Sequence, residues 1–181
     1  MLKVNLIKNI KLVIADVDGV LTDGTIYIDS QGCETKAFSV LDGTGISYLH
    51  RAGIKTAIIS GRNCDAVIHR AKELGIGDVY QGIKNKLDAY QEILRKHALR
   101  DEEICYIGDD LIDLPIFSRV GFSVAVANAS PIVKRQSDYV TRAKGGFGAV
   151  REVAEKILKF QEKWHFIMER YKKPDTQGEK T

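Results

Sequence analysis

Asp16 and Asp18 close the apolar run KLVIAD (11–16) and are separated only by Val17. Alternate residues on an extended segment point the same way, so the two carboxylates would face one reaction centre. One carboxylate can attack phosphorus and become an aspartyl-phosphate. The other can protonate the departing alkoxide and later deprotonate water. Further candidates follow along the chain: Ser60 in IISGR, Lys86, and Asp109, Asp110 and Asp113 in YIGDDLID. Asp16 and Asp109 would offer oxygen ligands to Mg2+, which prefers carboxylates and keeps several waters. That cation and Lys86 would offset the repulsion between a carboxylate nucleophile and an anionic phosphate. Ser60 would donate its hydroxyl to a phosphoryl oxygen.

The hydrophobic pattern supplies elements that could bring these residues together. Strands are expected at KLVIAD (11–16), KTAIIS (55–60), DVYQ (78–81), ICYIG (104–108), FSVAVA (122–127) and DYVT (138–141). Helical spacing appears in ISYLHRAG with Gly53 as its stop, and in CDAVIHRAKEL between an Asn63 cap and Gly75. It recurs in KLDAYQEILRKHAL (86–99), over DLPIFSRV, after Pro131, and as one long helix from near Gly148 through AVREVAEKILKFQEKWHFIMERY. TIYID (25–29) and CETKAFSV (33–40), joined by Ser30-Gln31-Gly32, read as a β-hairpin. The alternation predicts an α/β fold: a doubly wound, Rossmann-like parallel sheet with helices on both faces and a protruding hairpin at 25–40. In such a sheet, residues just past the carboxyl ends of the strands converge on one crevice.

A chain of 181 residues defaults to one domain, here residues 1–172, with the polar stretch 173–181 expected to be a loose tail. The net charge is +3, and no Lys/Arg stripe carries interleaved aromatics, which argues against a nucleic-acid partner. No apolar run is long enough to span a bilayer, and residues 1–10 lack the apolar core of a signal peptide. Cys33, Cys64 and Cys105 are far apart and odd in number, so a reducing cytoplasm is the expected compartment.

Each motif also has a plain structural meaning. Asp-x-Asp occurs in turns and caps, Ser60-Gly61 could simply end a strand, and a lone lysine is usually solvated. Asp110 is expected to cap a helix rather than react. Gly145 to Gly148 could seat a phosphate at a helix N-terminus or act as a hinge. No histidine has ligand-like spacing.

DVDGVLTDG, IISGR, Lys86 and GDDLID, in that order, resemble the four motifs of the haloacid-dehalogenase phosphatase superfamily. The resemblance implies that Asp16 is nucleophile and metal ligand, and that Asp18 is acid/base and lends its carbonyl to Mg2+. Asp109 would complete the protein ligands, Asp113 would orient the metal shell, and Ser60 and Lys86 would hold the phosphoryl group. DGTGI, YQGIKNK, YIGDDLIDLP, FSVAVANA, DYVT and GGFGAVREV narrow the likeness to the 3-deoxy-D-manno-octulosonate 8-phosphate (KDO-8-phosphate) phosphatases of lipopolysaccharide synthesis. By that likeness Ser39, Val40, Leu41, Asp42 and Gly43, with Arg62, Arg70, Asp18 and Lys86, bind a phosphorylated sugar acid. Leu41 and Ser47 depart from the arginines that some members of the family carry.

Lys86 comes only 26 positions after Ser60, too few for a cap domain once a helix and a strand are counted. The resemblance therefore implies a homotetramer built around the hairpin, with a neighbouring subunit closing each site. Three other functions stay open. One is a phosphatase for nine-carbon sialic-acid-type 9-phosphates. Another is a receiver-like phospho-aspartate domain, disfavoured because its aspartate normally follows a middle strand. The third is a silent scaffold.

Overall fold

A computed structural model describes residues 4–172. In chain order the elements are α1 (Val4–Ile7), β1 (Leu12–Ala15), β2 (Tyr27–Ile28), β3 (Glu34–Thr35), α2 (Val40–Arg51), β4 (Lys55–Ile59), α3 (Asp65–Leu74) and β5 (Asp78–Tyr80). There follow α4 (Lys86–His97), β6 (Ile104–Gly108), α5 (Leu114–Phe117), β7 (Phe122–Ala125), α6 (Pro131–Gln136), β8 (Tyr139–Val140), α7 (Ala149–Phe160) and α8 (Trp164–Glu169). The strands β5-β4-β1-β6-β7-β8 form one sheet, and every pairing in it is parallel.

The central strands are buried along almost their whole length. Continuous apolar runs such as LVIA and FSVA are what a sheet covered on both faces requires. From β1 the chain winds one way through β4 and β5, then returns to lay down β6, β7 and β8 on the other side. The reversal falls between β1 and β6, which pair as Ala15 with Ile107. A crevice opens outside the carboxyl ends of two strands at such a point, and these two strands lead into Asp16 and Asp109.

The structure revises several expectations. The hairpin ladder is short, pairing only Tyr27 with Thr35 and Ile28 with Glu34. The chain then turns helical at Val40, not at Ile46, because the Ser39 side chain accepts the Leu41 N–H as an N-cap. The cap of α3 is Cys64 rather than Asn63. Gly82 N–H bonds Arg62 carbonyl and Gln81 Oε1 takes Cys64 N–H, so the chain stays extended one residue longer. The single C-terminal helix is two: Glu162 sits at φ 58° and separates α7 from α8. Gln161 turns its amide onto the carbonyls of Ile7 and Ile10, which spends the residue on a tertiary contact. Finally, α1 had no signature in the sequence. The expected tail at 173–181 lies outside the described residues.

Candidate active site

Asp16 follows β1 directly, and its N–H bonds the Ile107 carbonyl of β6. Lys86 is the first residue of α4, whose Asn85 cap accepts Leu87 N–H at 3.2 Å. The buried ammonium of Lys86 lies 3.0 Å from Asp16 Oδ1 and 2.7 Å from Asp113 Oδ1. Asp113 is held from three sides. Tyr106 donates its hydroxyl to Oδ1 at 2.7 Å, and the N–H groups of Asp109 and Asp110 donate to Oδ2 at 3.0 and 3.3 Å. Asp110 itself caps the short turn that follows, accepting Leu111 N–H.

Carboxylate oxygens of Asp16, Asp109 and Asp113 lie within 4.8 Å of one another. Burial pushes the Asp16 carboxyl up and Asp113 adds to the rise, against the opposing pull of Lys86, to a pKa of about 6. Burial, then the charges of Asp16 and Asp113, push Asp109 to about 7. Three carboxylates share one ammonium, so the cluster is short of positive charge. An all-oxygen donor set with that deficit fits a hard divalent cation.

Two glycines allow this crowding. At Gly19 (φ 90°) a Cβ would overlap the Asp109 carboxylate, and at Gly145 it would overlap the Gly19 carbonyl. Asn128 clamps the same two loops, donating to Gly19 O at 3.1 Å and accepting Gly145 N–H at 2.7 Å.

Ser60 is buried at the end of β4, where its Oγ accepts Arg62 N–H at 3.2 Å, so its own proton remains to be donated. Asp18 is partly exposed and its carboxylate is ion-paired with Lys36. Lys36 also meets Glu34 Oε1 at 2.7 Å, and Glu34 Oε2 meets Arg62 at 2.7 Å.

The segment 39–43 divides. Val40 and Leu41 stand exposed in the first turn of α2. Asp42 is 1% exposed and takes the N–H groups of Gly148 and Arg151 at 3.1 Å each, so it caps α7. That also removes the phosphate role from the glycines at 145–148, because Asp42 already fills the helix N-terminus. Gly43 packs under Arg70, whose guanidinium is spent on Ser39 carbonyl and on Glu73.

Sequence reasoning missed Lys36, Glu34, Tyr106 and Asn128. The first two left a signal: opposite charges two apart on a strand, hence on one face. Asn128 left none, since its partners lie 109 and 17 residues away.

A doubly wound sheet with a carboxylate cluster and one buried lysine at its switch point defines an α/β phosphoryl-transfer hydrolase. A family of haloacid dehalogenase-like hydrolases matches residues 75–153. The 3-deoxy-D-manno-octulosonate 8-phosphate phosphatase of Yersinia pestis is 52% identical over 155 residues, covering 86% of this chain and 83% of its own. A crystal structure of the Y. pestis phosphatase superposes with a TM-score of 0.88 at 50% identity, covering 90% of this chain and 88% of that one. The Moraxella catarrhalis phosphatase, in complex with magnesium ion, phosphate ion and KDO, gives 0.91 at 44% identity, covering 94% and 98%. The chain belongs to the haloacid dehalogenase-like hydrolases, in the branch of the 3-deoxy-D-manno-octulosonate 8-phosphate phosphatases.

Proposed function

We propose that this chain hydrolyses KDO-8-phosphate to KDO and phosphate with Mg2+, a step of lipopolysaccharide synthesis. The observation that carries the reading is the meeting of Asp16, Lys86, Asp109 and Asp113 at the switch point. Lys86 binds Oδ1 of Asp16, which leaves Oδ2 to attack phosphorus. Ser60 and Lys86 donate to the phosphoryl oxygens. Asp18 gives a proton to the departing O8 and then takes one from the water that attacks the aspartyl-phosphate, regenerating the Asp16 carboxylate. Mg2+ held by Asp16, the Asp18 carbonyl and Asp109, with Asp113 orienting its shell, supplies positive charge against the phosphoryl oxygens.

Arg62 and Arg70 are the guanidinium groups proposed to meet the sugar's carboxylate, each paired with a glutamate in the free protein, Glu34 and Glu73. Arg62 is the more exposed of the two. Leu41 is exposed and offers no cation to a sugar acid, so the nine-carbon 9-phosphates stay open as a second substrate reading. A panel of sugar phosphates separates the two: a negligible kcat/KM on KDO-8-phosphate beside a better 9-phosphate overturns the first. A stable aspartyl-phosphate without turnover would instead favour a receiver.

The assembly belongs to this proposal. Ile26, Tyr27 and Ile28 are exposed on the hairpin, as a strand pair that joins a homotetramer would be. A monomer mass in solution at working concentration refutes it. Among the described residues no helix is long and apolar enough to cross a membrane. The three free thiols suit the cytoplasm, and recovery of the protein from another cell fraction would contradict that location.

A further inference from the structure

The hairpin is poorly supported as structure, yet it delivers a buried ammonium to the cleft. Its ladder is two residues long on each strand, and Tyr27 and Ile28 are exposed. Lys36, just past β3, is the exception, with its side chain 1% exposed. Desolvating an ammonium is costly unless carboxylates meet it, and two do: Asp18 and Glu34. Glu34 is anchored in turn by Arg62 from the turn after β4. The charges alternate along the chain Asp18, Lys36, Glu34, Arg62 and sum to zero. Among the described residues Lys36 is the one hydrogen-bond partner of the Asp18 side chain.

We infer that Lys36 is a positioning residue: backed by Glu34 and Arg62, it fixes one Asp18 oxygen so that the other faces the leaving oxygen of the phosphate ester. The inference rests on Asp18 acting as proton donor, the role proposed above. A carboxylate on a short side chain otherwise turns freely about its two side-chain torsions. Proton transfer needs the donor within about 3 Å of the acceptor, and a misplacement of about 1 Å can cost roughly 100-fold. The hairpin then serves as an arm that aims the acid, whatever it also does between subunits.

The test uses a series of aryl phosphates of similar size whose phenols differ in acidity, with Mg2+ present. Here kcat/KM reports only the steps up to loss of the phenol. If Asp18 protonates the leaving oxygen, Asp18→Asn should hurt poor leaving groups most. Lys36→Met should show the same signature: a loss of a few-fold for the most acidic phenol, growing to ~100-fold for the least acidic. The inhibition constant for inorganic phosphate should stay within about twofold, because phosphate binding to the Lys86 side is intact. Glu34→Gln keeps Lys36 and should show a weaker form of the same trend, which preserves the test should Lys36→Met fold badly. Lys36→Arg should recover part of the lost slope.

A loss in Lys36→Met that is equal across the series overturns the inference, as does a rise in the phosphate inhibition constant that accounts for the whole loss. If Asp18→Asn shows the leaving-group trend and the Lys36 variants do not, Lys36 has no part in aiming the acid while the proposed chemistry stands. If Asp18→Asn shows no trend, the acid role itself fails and the inference falls with it.

Discussion

The two edges of the sheet treat buried carboxylates in opposite ways. At the carboxyl edge, Asp16, Asp109 and Asp113 share the single ammonium of Lys86, and two of them are pushed to about 6 and about 7. At the amino edge, Asp78 opens β5 and Glu103 precedes β6, and each has basic partners to itself. Asp78 meets Lys96 at 2.5 Å and His97 at 2.7 Å. Burial pushes Asp78 up, but those two partners outweigh it and hold the carboxyl below its ordinary value. Glu103 is held down by Lys11 at 2.7 Å and by the Arg100 N–H. One helix serves both edges: α4 places Lys86 at its start, and Lys96 and His97 at its end. The same residue types thus build a balanced set for stability and a deficient set that calls for a cation and an anionic substrate.

The sharpest way to break that contrast is Asp16→Asn. It should cut kcat on any phosphate ester by on the order of 10⁴ or more, since no other group replaces the nucleophile. The same change removes one member of a repelling cluster, so the metal-free protein should melt no lower than the parent near pH 7.5. Retained activity would end the proposed mechanism; a large fall in melting temperature would end the claim that this edge is held against stability.

Asp78→Asn is the mirror experiment. It breaks two charged hydrogen bonds and should cost on the order of 2 kcal/mol, or roughly 4–8 °C for a domain of this size. kcat/KM should stay within about twofold of the parent, because Asp78 lies at the edge opposite the site. Loss of activity without loss of stability would show that the two edges are not independent.

The two edges also differ in how legible they were. Asp16, Asp18, Ser60, Lys86 and Asp109 could be placed because each follows or opens an element whose apolar pattern marks it, and topology does the rest. The six sheet strands were found for the same reason, since runs such as LVIA and ICYIG are buried on both faces. Nothing marks Asp78 as different from Asp16, because its partners come from the far end of α4. Asp42 hid its contacts for a related reason. It stands in a segment that resembles a binding loop, but its contacts are the N–H groups of Gly148 and Arg151, more than a hundred residues on. Long-range polar pairs carry no periodicity, so pattern reading passes over them.

The pH dependence of stability should separate the edges without mutation. Asp16 and Asp109 have folded pKa values above their unfolded ones. Their contribution is full below about pH 4 and is lost as pH rises through 6 to 7. Asp78 and Glu103 have lowered values, so their contribution is present above about pH 4 and is lost as pH falls through the folded values. The metal-free protein should therefore be most stable near pH 4 and weaken by on the order of 4 kcal/mol between pH 5 and pH 8. Saturating Mg2+ should remove most of that weakening, and its binding near pH 6.5 should release protons, measurable by calorimetry in buffers of different ionisation enthalpy. A metal-free protein whose melting temperature is flat from pH 5 to 8 would show that the cluster is not short of positive charge.

The smallest test concerns the helix that joins the edges. α4 ends at Ala98 in the left-handed region, φ 50° and ψ 44°, directly after His97. A Cβ there costs about 1–2 kcal/mol, whereas Gly75, which ends α3 at φ 72°, has none to strain. Ala98→Gly removes the strain but adds freedom to the unfolded chain worth about 0.5–1 kcal/mol. The net gain should be about 0.5–1 kcal/mol, a rise of roughly 1–4 °C in melting temperature, with kcat/KM unchanged. The strain must be borne by contacts at the end of α4, and the pairing of Lys96 and His97 with Asp78 is the strongest of these. In the Asp78→Asn background the same substitution should therefore still stabilise, but less, because the helix end can then relax without it. An equal gain in both backgrounds would mean that Asp78 does not hold the helix end in place.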